Sequence, residues 1–275
     1  MQIALLKVTA LFYLVGTVLY LHFIVKLNER SGRLGRMFLL IGALLHGIGF
    51  AARYATAGYM PITSLFESLS FFAFATVCVF LAFELRYNIR VMGAFVAPVV
   101  LLFGVLSALI PGEVRPLAPV LDSYWLPVHV LVLFFGYAVF AVAFGAAVMY
   151  LLMEKELKGK RFGSLFRRLP SLDVLDAVNS RCLQIGFPLL TVGIISGSIW
   201  ANYAWGSYWS WDPKEVWSLG TWLLYAALLH GRLTAGWRGR RAAILAIVGF
   251  CTVLFTFLGV NLLLPGLHSY SNLSG

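Results

Sequence analysis

Eight apolar runs divide this 275-residue chain, near residues 4–25, 37–55, 64–84, 91–110, 125–152, 182–202, 217–235 and 242–264. Each is roughly 19 to 28 residues long, enough to cross a bilayer as an α-helix. With 61% hydrophobic residues, 12% charged residues and a mean hydropathy of +0.88, the chain must use lipid as its solvent. The expected fold is an all-α integral membrane protein of about eight transmembrane helices, forming one polytopic domain over residues 1–275. The first run has no small-residue cleavage site, so it reads as a retained span rather than a signal peptide.

Orientation follows from the basic residues. Lys26, Arg30, Arg33 and Arg36 follow the first span, and Arg86 and Arg90 follow the third. Lys155, Lys158, Lys160, Arg161, Arg167, Arg168 and Arg181 lie between the fifth and sixth, and Arg232, Arg238, Arg240 and Arg241 after the seventh. Seventeen of the 21 basic residues therefore share one side, against Lys7, Arg53, Arg115 and Lys214 on the other. Basic short loops stay in the cytoplasm. This places both termini and a loop at 203–217 outward, and the basic loop 154–181 inside. The net charge of +10 is thus an orientation signal, and no nucleic-acid partner is implied. Within 154–181, Leu172, Val174, Leu175 and Val178 predict a short amphipathic helix along the inner surface.

Residues 205–217, WGSYWSWDPKEVW, gather the rings of Trp205, Tyr208, Trp209, Trp211 and Trp217 around the carboxylate of Asp212. Pro213 resists continuation of a helix arriving from the N-terminal side, so the stretch reads as a loop or short interfacial helix. An aromatic belt would distribute its tryptophans over both interfaces. Four within thirteen residues, beside an acid, point instead to a platform for a large, flat, apolar ligand. Indole offers such a ligand broad faces with little rotamer entropy to lose. Haem has that shape.

The five histidines sort by depth. His22 reads as interfacial, and His46, about mid-membrane, is a functional candidate because imidazole is costly at that depth. His230 lies thirteen residues beyond Trp217, about 20 Å inward along a helix, and is expected to be buried. His129 starts the fifth span, and His268 follows Pro265 just beyond the eighth. These two flank the aromatic loop on its own side of the membrane. Haem iron accepts two axial imidazoles, so His129 and His268 are the expected pair of one outward haem lying against Trp205, Trp209 and Trp211. Arg53 and Arg115 are the available outward cations for its propionates. Asp212 is expected to bond loop backbone or to meet Lys214.

Other features have structural readings. Ser64 and Glu67 have the form of a capping box at the start of the third span. Gly186, Gly193, Ser196, Gly197 and Ser198 permit close helix contact along the sixth. The three cysteines, Cys78, Cys182 and Cys251, form no C-x-x-C pair and read as buried thiols.

The loop resembles the tryptophan-rich WWD signature W-G-x-x-W-x-W-D-P-x-E-x-W of haem-handling proteins of cytochrome c maturation. The wider chain is similar to the CcsA (ResC) family, through GYMPITSLFESL, WLPVHVLVLFFGYAVFAVAF, NSRCLQIGFPLLTVGIISGSIWA and GVNLLLPGLHSY. The resemblance covers essentially the whole chain. It implies movement of haem b to the outer side and its covalent attachment to the C-x-x-C-H of apocytochrome c, with a CcsB (ResB)-type membrane partner. It implies His129 and His268 as axial ligands of the outer haem, with Trp205, Trp209, Trp211, Asp212 and Trp217 around it. It casts His230 as one ligand of an intramembrane haem whose second ligand comes from the partner. The implied location is a bacterial plasma membrane or a thylakoid membrane, with the WWD loop on the periplasmic or lumenal side. A CcmC-type exporter shares the loop but lacks the P-K-E-x-W ending, and a CcmF-type protein is far longer. A bis-histidine membrane cytochrome b would stack its ligands within helices and has no need of an external tryptophan platform.

The basic-residue asymmetry makes a direct prediction. Reporter fusions after Gly163 and after Leu273 should report opposite sides of the membrane; a common side would overturn the topology.

Overall fold

The computed structural model describes residues 2–114, 116–160, 163 and 165–267, with side chains from Ala4 onward. The main helices are α1 (Gln2–Lys26), α2 (Glu29–Ala57), α3 (Leu65–Tyr87), α4 (Gly93–Leu109), α5 (Trp125–Lys158), α6 (Leu172–Trp205), α7 (Pro213–Thr234) and α8 (Arg240–Leu254). A π-helical turn, Phe255–Gly259, continues α8 into a final short helix, α9 (Val260–Leu263). No strand occurs among the described residues. The protein is an all-helical integral membrane protein.

Seven of these segments are long and apolar enough to span a bilayer; α7 is not among them. Its 22 residues would extend about 33 Å. Length therefore suffices, while Lys214, Glu215, His230 and Arg232 lower its hydropathy. The expected separate amphipathic helix at 172–178 is corrected, because those residues are the first turns of α6. Ser171 caps this start by accepting the Val174 N–H, and no helix breaker separates it from the apolar run. Leu175 and Val178 are buried in the same cluster as Met149 and Met153 of α5, rather than lying on a surface. α5 accordingly ends at Lys158 and α6 begins at Leu172.

Two pairings organise the bundle: α5 against α6, and α1 against α2, with α8 seated on α5 and the π-helical turn after it meeting α3 through Phe257. A ladder of rings holds the centre. Phe72 meets Phe103 edge-on at 4.6 Å and Phe257 at 5.7 Å, and Phe134 meets Phe257 at 5.1 Å. Below it Phe140 stacks on Tyr225 at 3.7 Å. Edge-to-face rings gain from their quadrupoles beyond the area they bury. Where lipid is as apolar as the side chains, such packing carries helix association. Of the three cysteines Cys182 is buried, Cys78 is half-buried, and Cys251 is exposed. The buried reading fails for Cys251 because α8 presents Ala246, Phe250 and Val253 to the core and turns Cys251 away.

The capping box at α3 is present, with Glu67 also accepting from the Thr63 and Ser64 backbone. The same carboxylate pairs with Arg53 of α2 at 2.6 Å, and Arg53 donates further to the Gly112 and Glu113 carbonyls. Arg53 is only 5% exposed. It is therefore not the available outward cation that the sequence suggests; it ties α2, α3 and the 110–114 loop together. Arg115 lies outside the described residues. Removing one partner of a buried pair strands the other charge, so Arg53→Met should destabilise by about 3–5 kcal/mol in detergent unfolding. The double variant Arg53→Met/Glu67→Gln should recover part of that loss.

Candidate functional site

Residues 206–212 turn the chain from α6 into α7. Gly206 ends α6 in the left-handed region, and Pro213 occupies the first turn of α7, where its missing N–H is no loss. The non-helical loop is thus shorter than the sequence suggests, with Trp205 on α6 and Trp217 on α7. Trp211 lies between these ends at φ 60, a left-handed conformation that strains any residue with a Cβ. Glu215 holds this turn shut. Its carboxylate accepts the N–H of Ser210 at 2.8 Å and of Asp212 at 3.1 Å, one on each side of Trp211, and the Ser210 hydroxyl at 3.1 Å. Asp212 completes a reciprocal capping box by accepting the Glu215 N–H, and it also accepts the Lys214 N–H at 3.1 Å. The expected bond from Asp212 to loop backbone is present, and the carboxylate also accepts the Leu267 N–H at 2.6 Å. Sequence reading missed Glu215, although D-x-x-E before a helix is the same signal that located Ser64 and Glu67.

Two cavities adjoin the Trp loop at this end of the bundle. One, with about 860 Å³ of empty space including its mouth, is walled by Leu126, His129, Trp200, Trp205, Lys214 and Leu267 among others. The second, about 530 Å³, is lined by His129, Tyr208, Trp209, Lys214 and Glu215 among others. His129, Leu133, Tyr137 and Lys214 belong to both, so the imidazole stands where the two spaces meet. The larger has the lining of a ligand site, mostly apolar with a few convergent polar groups. The π-helical turn shapes its floor through Phe257.

His129 is held with defined chemistry. Its Nδ1 lies 2.7 Å from the Gly193 carbonyl, so Nδ1 carries the proton and the lone pair resides on Nε2. A backbone carbonyl on one ring nitrogen is the usual support for a histidine that ligates metal through the other. The ring lies parallel to Trp200 at 6.4 Å and 14°, and Trp200 meets Trp205 edge-on at 4.8 Å. Gly197 makes this possible, since a Cβ there would sit 2.4 Å from His129 Cε1. The small residues of α6 therefore seat an imidazole as well as a helix. Trp200, inside an apolar run, carried no sequence signal that set it apart from core.

The other expected site residues separate. Trp205 and Trp209 line the cavities on either side of His129. Trp211 packs edge-on to Trp209 but is 71% exposed, and Trp217 packs on Phe255 at 4.4 Å. Neither lines the two cavities, because the left-handed turn carries Trp211 outward and Trp217 begins the second turn of α7. His268 lies outside the described residues, while Leu267 reaches the wall of the larger cavity. His230 is exposed on α7, one turn from its end, and not buried within this chain. The helix turns its buried face, Thr221, Tyr225 and Leu228, inward and His230 away. His46 is 3% exposed, with Nδ1 bonded to the Tyr13 hydroxyl at 3.0 Å and Nε2 to Ser70 at 2.7 Å. Both nitrogens are occupied and the ring stacks on Phe50 at 5.0 Å, so its depth is explained by internal hydrogen bonds. His22 bonds Ser31 at 2.8 Å, in keeping with an interfacial residue.

The sequence matches the family described as Cytochrome C assembly protein over residues 62–268. The chain belongs to that family. The matched region of this cytochrome c assembly chain begins just before α3 and takes in both cavities and the whole Trp loop. Cytochrome c biogenesis protein CcsA of Chlamydomonas reinhardtii is 39% identical over 252 residues, covering 88% of this chain and 70% of the relative. CcsA of Microcystis aeruginosa is 41% identical over 282 residues, covering 84% of each chain. CcsA of Guillardia theta is 37% identical over 284 residues, covering 96% and 94%. Among solved structures, Cytochrome c Heme Lyase CcmF superposes with a TM-score of 0.65 at 20% identity. That likeness shows a shared fold, over 92% of this chain and 46% of CcmF, so the chain spans about half of CcmF's length.

The seat of His129 can be tested at Gly197. Gly197→Ala should drive the ring off Gly193, costing about 1–3 kcal/mol of stability, and should lower co-purified haem. Gly220→Ala, where an added Cβ meets nothing within 4 Å, should do neither.

Proposed function

We propose that this chain receives haem b, presents it at the Trp-loop end of the bundle and attaches it covalently to apocytochrome c, acting with a CcsB-type partner. The observation that carries the reading is His129, whose Nδ1–H is committed to a backbone carbonyl inside an aromatic cavity. That arrangement directs Nε2 toward metal. His268 is the second axial ligand, and the placement of Leu267 on the same cavity wall supports it. The macrocycle lies against Trp205 and Trp209, with Trp200 behind His129. Trp211 and Trp217 take part from the rim.

Attachment adds each cysteine S–H of C-x-x-C-H across a haem vinyl group, sulfur to carbon and hydrogen to its neighbour, with the iron ferrous. The porphyrin carries that chemistry. What this chain contributes is orientation and exclusion of water, which convert a bimolecular encounter into a positioned one. One axial imidazole gives way to the histidine of C-x-x-C-H, and the product leaves. The enzymatic step belongs to the complex. The exposure of His230 supports its reading as one ligand of a membrane haem completed by a histidine of the partner, since it faces outside this chain. His46 offers no alternative pair, as its two nitrogens serve Tyr13 and Ser70, and this speaks against a cytochrome b built within the chain's own helices. The location that fits the basic asymmetry is a bacterial plasma or thylakoid membrane, with the Trp loop outward.

His129→Ala and His268→Ala should each open a coordination position without abolishing haem binding, because the aromatic contacts remain. Added imidazole should restore the low-spin spectrum and part of the synthase activity. Trp205→Ala and Trp209→Ala should lower haem occupancy in a way imidazole does not repair. Unchanged six-coordinate spectra and full cytochrome c maturation in both histidine variants would refute the ligand pair. His230→Ala should reduce total haem in the complex, with His46→Ala having the smaller effect.

A further inference from the structure

We propose that Asp212 is a positioning residue for the ligand at position 268, acting through the backbone of Leu267. The proposal rests on the reading of His268 as an axial ligand. Asp212 is 7% exposed, and a carboxylate so buried needs donors. Its two oxygens serve separate parts of the chain. Oδ2 accepts the Lys214 N–H at 3.1 Å and caps α7, while Oδ1 accepts the Leu267 N–H at 2.6 Å, 55 residues away. The second bond is short and charge-assisted. Gly266 supplies an independent sign that the approach is built in, because a Cβ there would lie 2.5 Å from the same Oδ1. Any other residue at 266 would push the segment off the carboxylate.

The consequence follows from chain geometry. At Leu264 the backbone leaves α9 for an extended conformation. From Leu264 to Leu267 no helix holds the chain, and residue 268 is one covalent step, 3.8 Å between Cα atoms, from Leu267. An imidazole on an untethered segment loses conformational entropy each time it binds iron. Asp212 removes part of that loss in advance by fixing the preceding peptide, and it is itself fixed by Pro213 and by Glu215. The Trp loop and the ligand segment are thereby one mechanical unit: movement of the loop, as when apocytochrome c docks, shifts the axial ligand. The acid of the loop thus governs exchange of the ligand without touching haem.

Asparagine at 212 remains a good helix cap but has one acceptor oxygen for the N–H groups of Lys214, Glu215 and Leu267. Leu267→Pro removes the donor itself and leaves the cap intact. In the complex purified with its partner, both variants should fill with imidazole at a half-saturating concentration roughly ten-fold or more below wild type, because the open form is more populated. Hydrogen exchange over 264–268 should accelerate about ten-fold in the same variants, with or without haem. In a His268→Ala background, Asp212→Asn should add nothing to the imidazole response, as expected for groups acting in series. A wild-type imidazole response in Asp212→Asn and Leu267→Pro, while His268→Ala is open, overturns the positioning role and leaves the ligand assignment standing. An Asp212→Asn effect that persists undiminished without His268 overturns it as well. If His268→Ala itself stays six-coordinate, the ligand reading fails first and this inference fails with it.

Discussion

At the start of a helix four backbone N–H groups have no partner within the helix, and next to a bilayer there is little water to serve them. Carboxylates meet this demand at the Trp-loop end of the bundle. Glu67 takes the N–H groups of Thr63 and Ser64 at α3, and Glu215 and Asp212 share those around the start of α7. Each of these acids then does a second task. Glu67 binds Arg53 and through it the 110–114 loop, Glu215 locks the left-handed turn at Trp211, and Asp212 reaches Leu267. The loops that surround the cavities are held by helix caps, and this is why irregular chain can keep a defined shape there.

The cavities owe their form to close packing of α5 on α6. Glycine at 197 leaves the space that the His129 ring occupies, glycine at 193 lets Leu133 approach, and the Gly193 carbonyl becomes the acceptor for the ring. The same packing that stabilises a helix pair in lipid therefore sets the tautomer of the imidazole. The π-helical turn at Phe255–Gly259 shifts the register of the last span so that Phe257 faces the cavity while Thr256 bonds Thr221 of α7.

His46 and His129 show how environment separates two residues of one type. Both lie in apolar spans. His46 meets a hydroxyl at each nitrogen, and the demand of its polar atoms ends there. His129 meets a carbonyl at Nδ1 and stands on the wall common to two cavities. Depth in the membrane, the quantity a sequence offers, is the wrong discriminator between them. What decides is which atoms the neighbouring helices bring within hydrogen-bond reach.

The sequence by itself determined the membrane class, the positions of the helices to within a turn in most cases, the Trp loop between α6 and α7, and His129 as a residue of that end. These are properties of apolar run length, basic-residue placement and local punctuation, all of which act over a few residues. It misjudged what depends on distant partners. Arg53 looked available because its acid, Glu67, lies fourteen residues on and across a helix pair. Residues 172–178 looked like a surface helix because the α5 side chains that bury them are not adjacent in the chain. His230 looked buried because linear depth does not say which face of a helix meets its neighbours. Trp200 joined the site, and Trp211 and Trp217 stood outside its cavities, for the same reason. Side-chain direction is set when helices pack and turns close, and only the tertiary structure contains both.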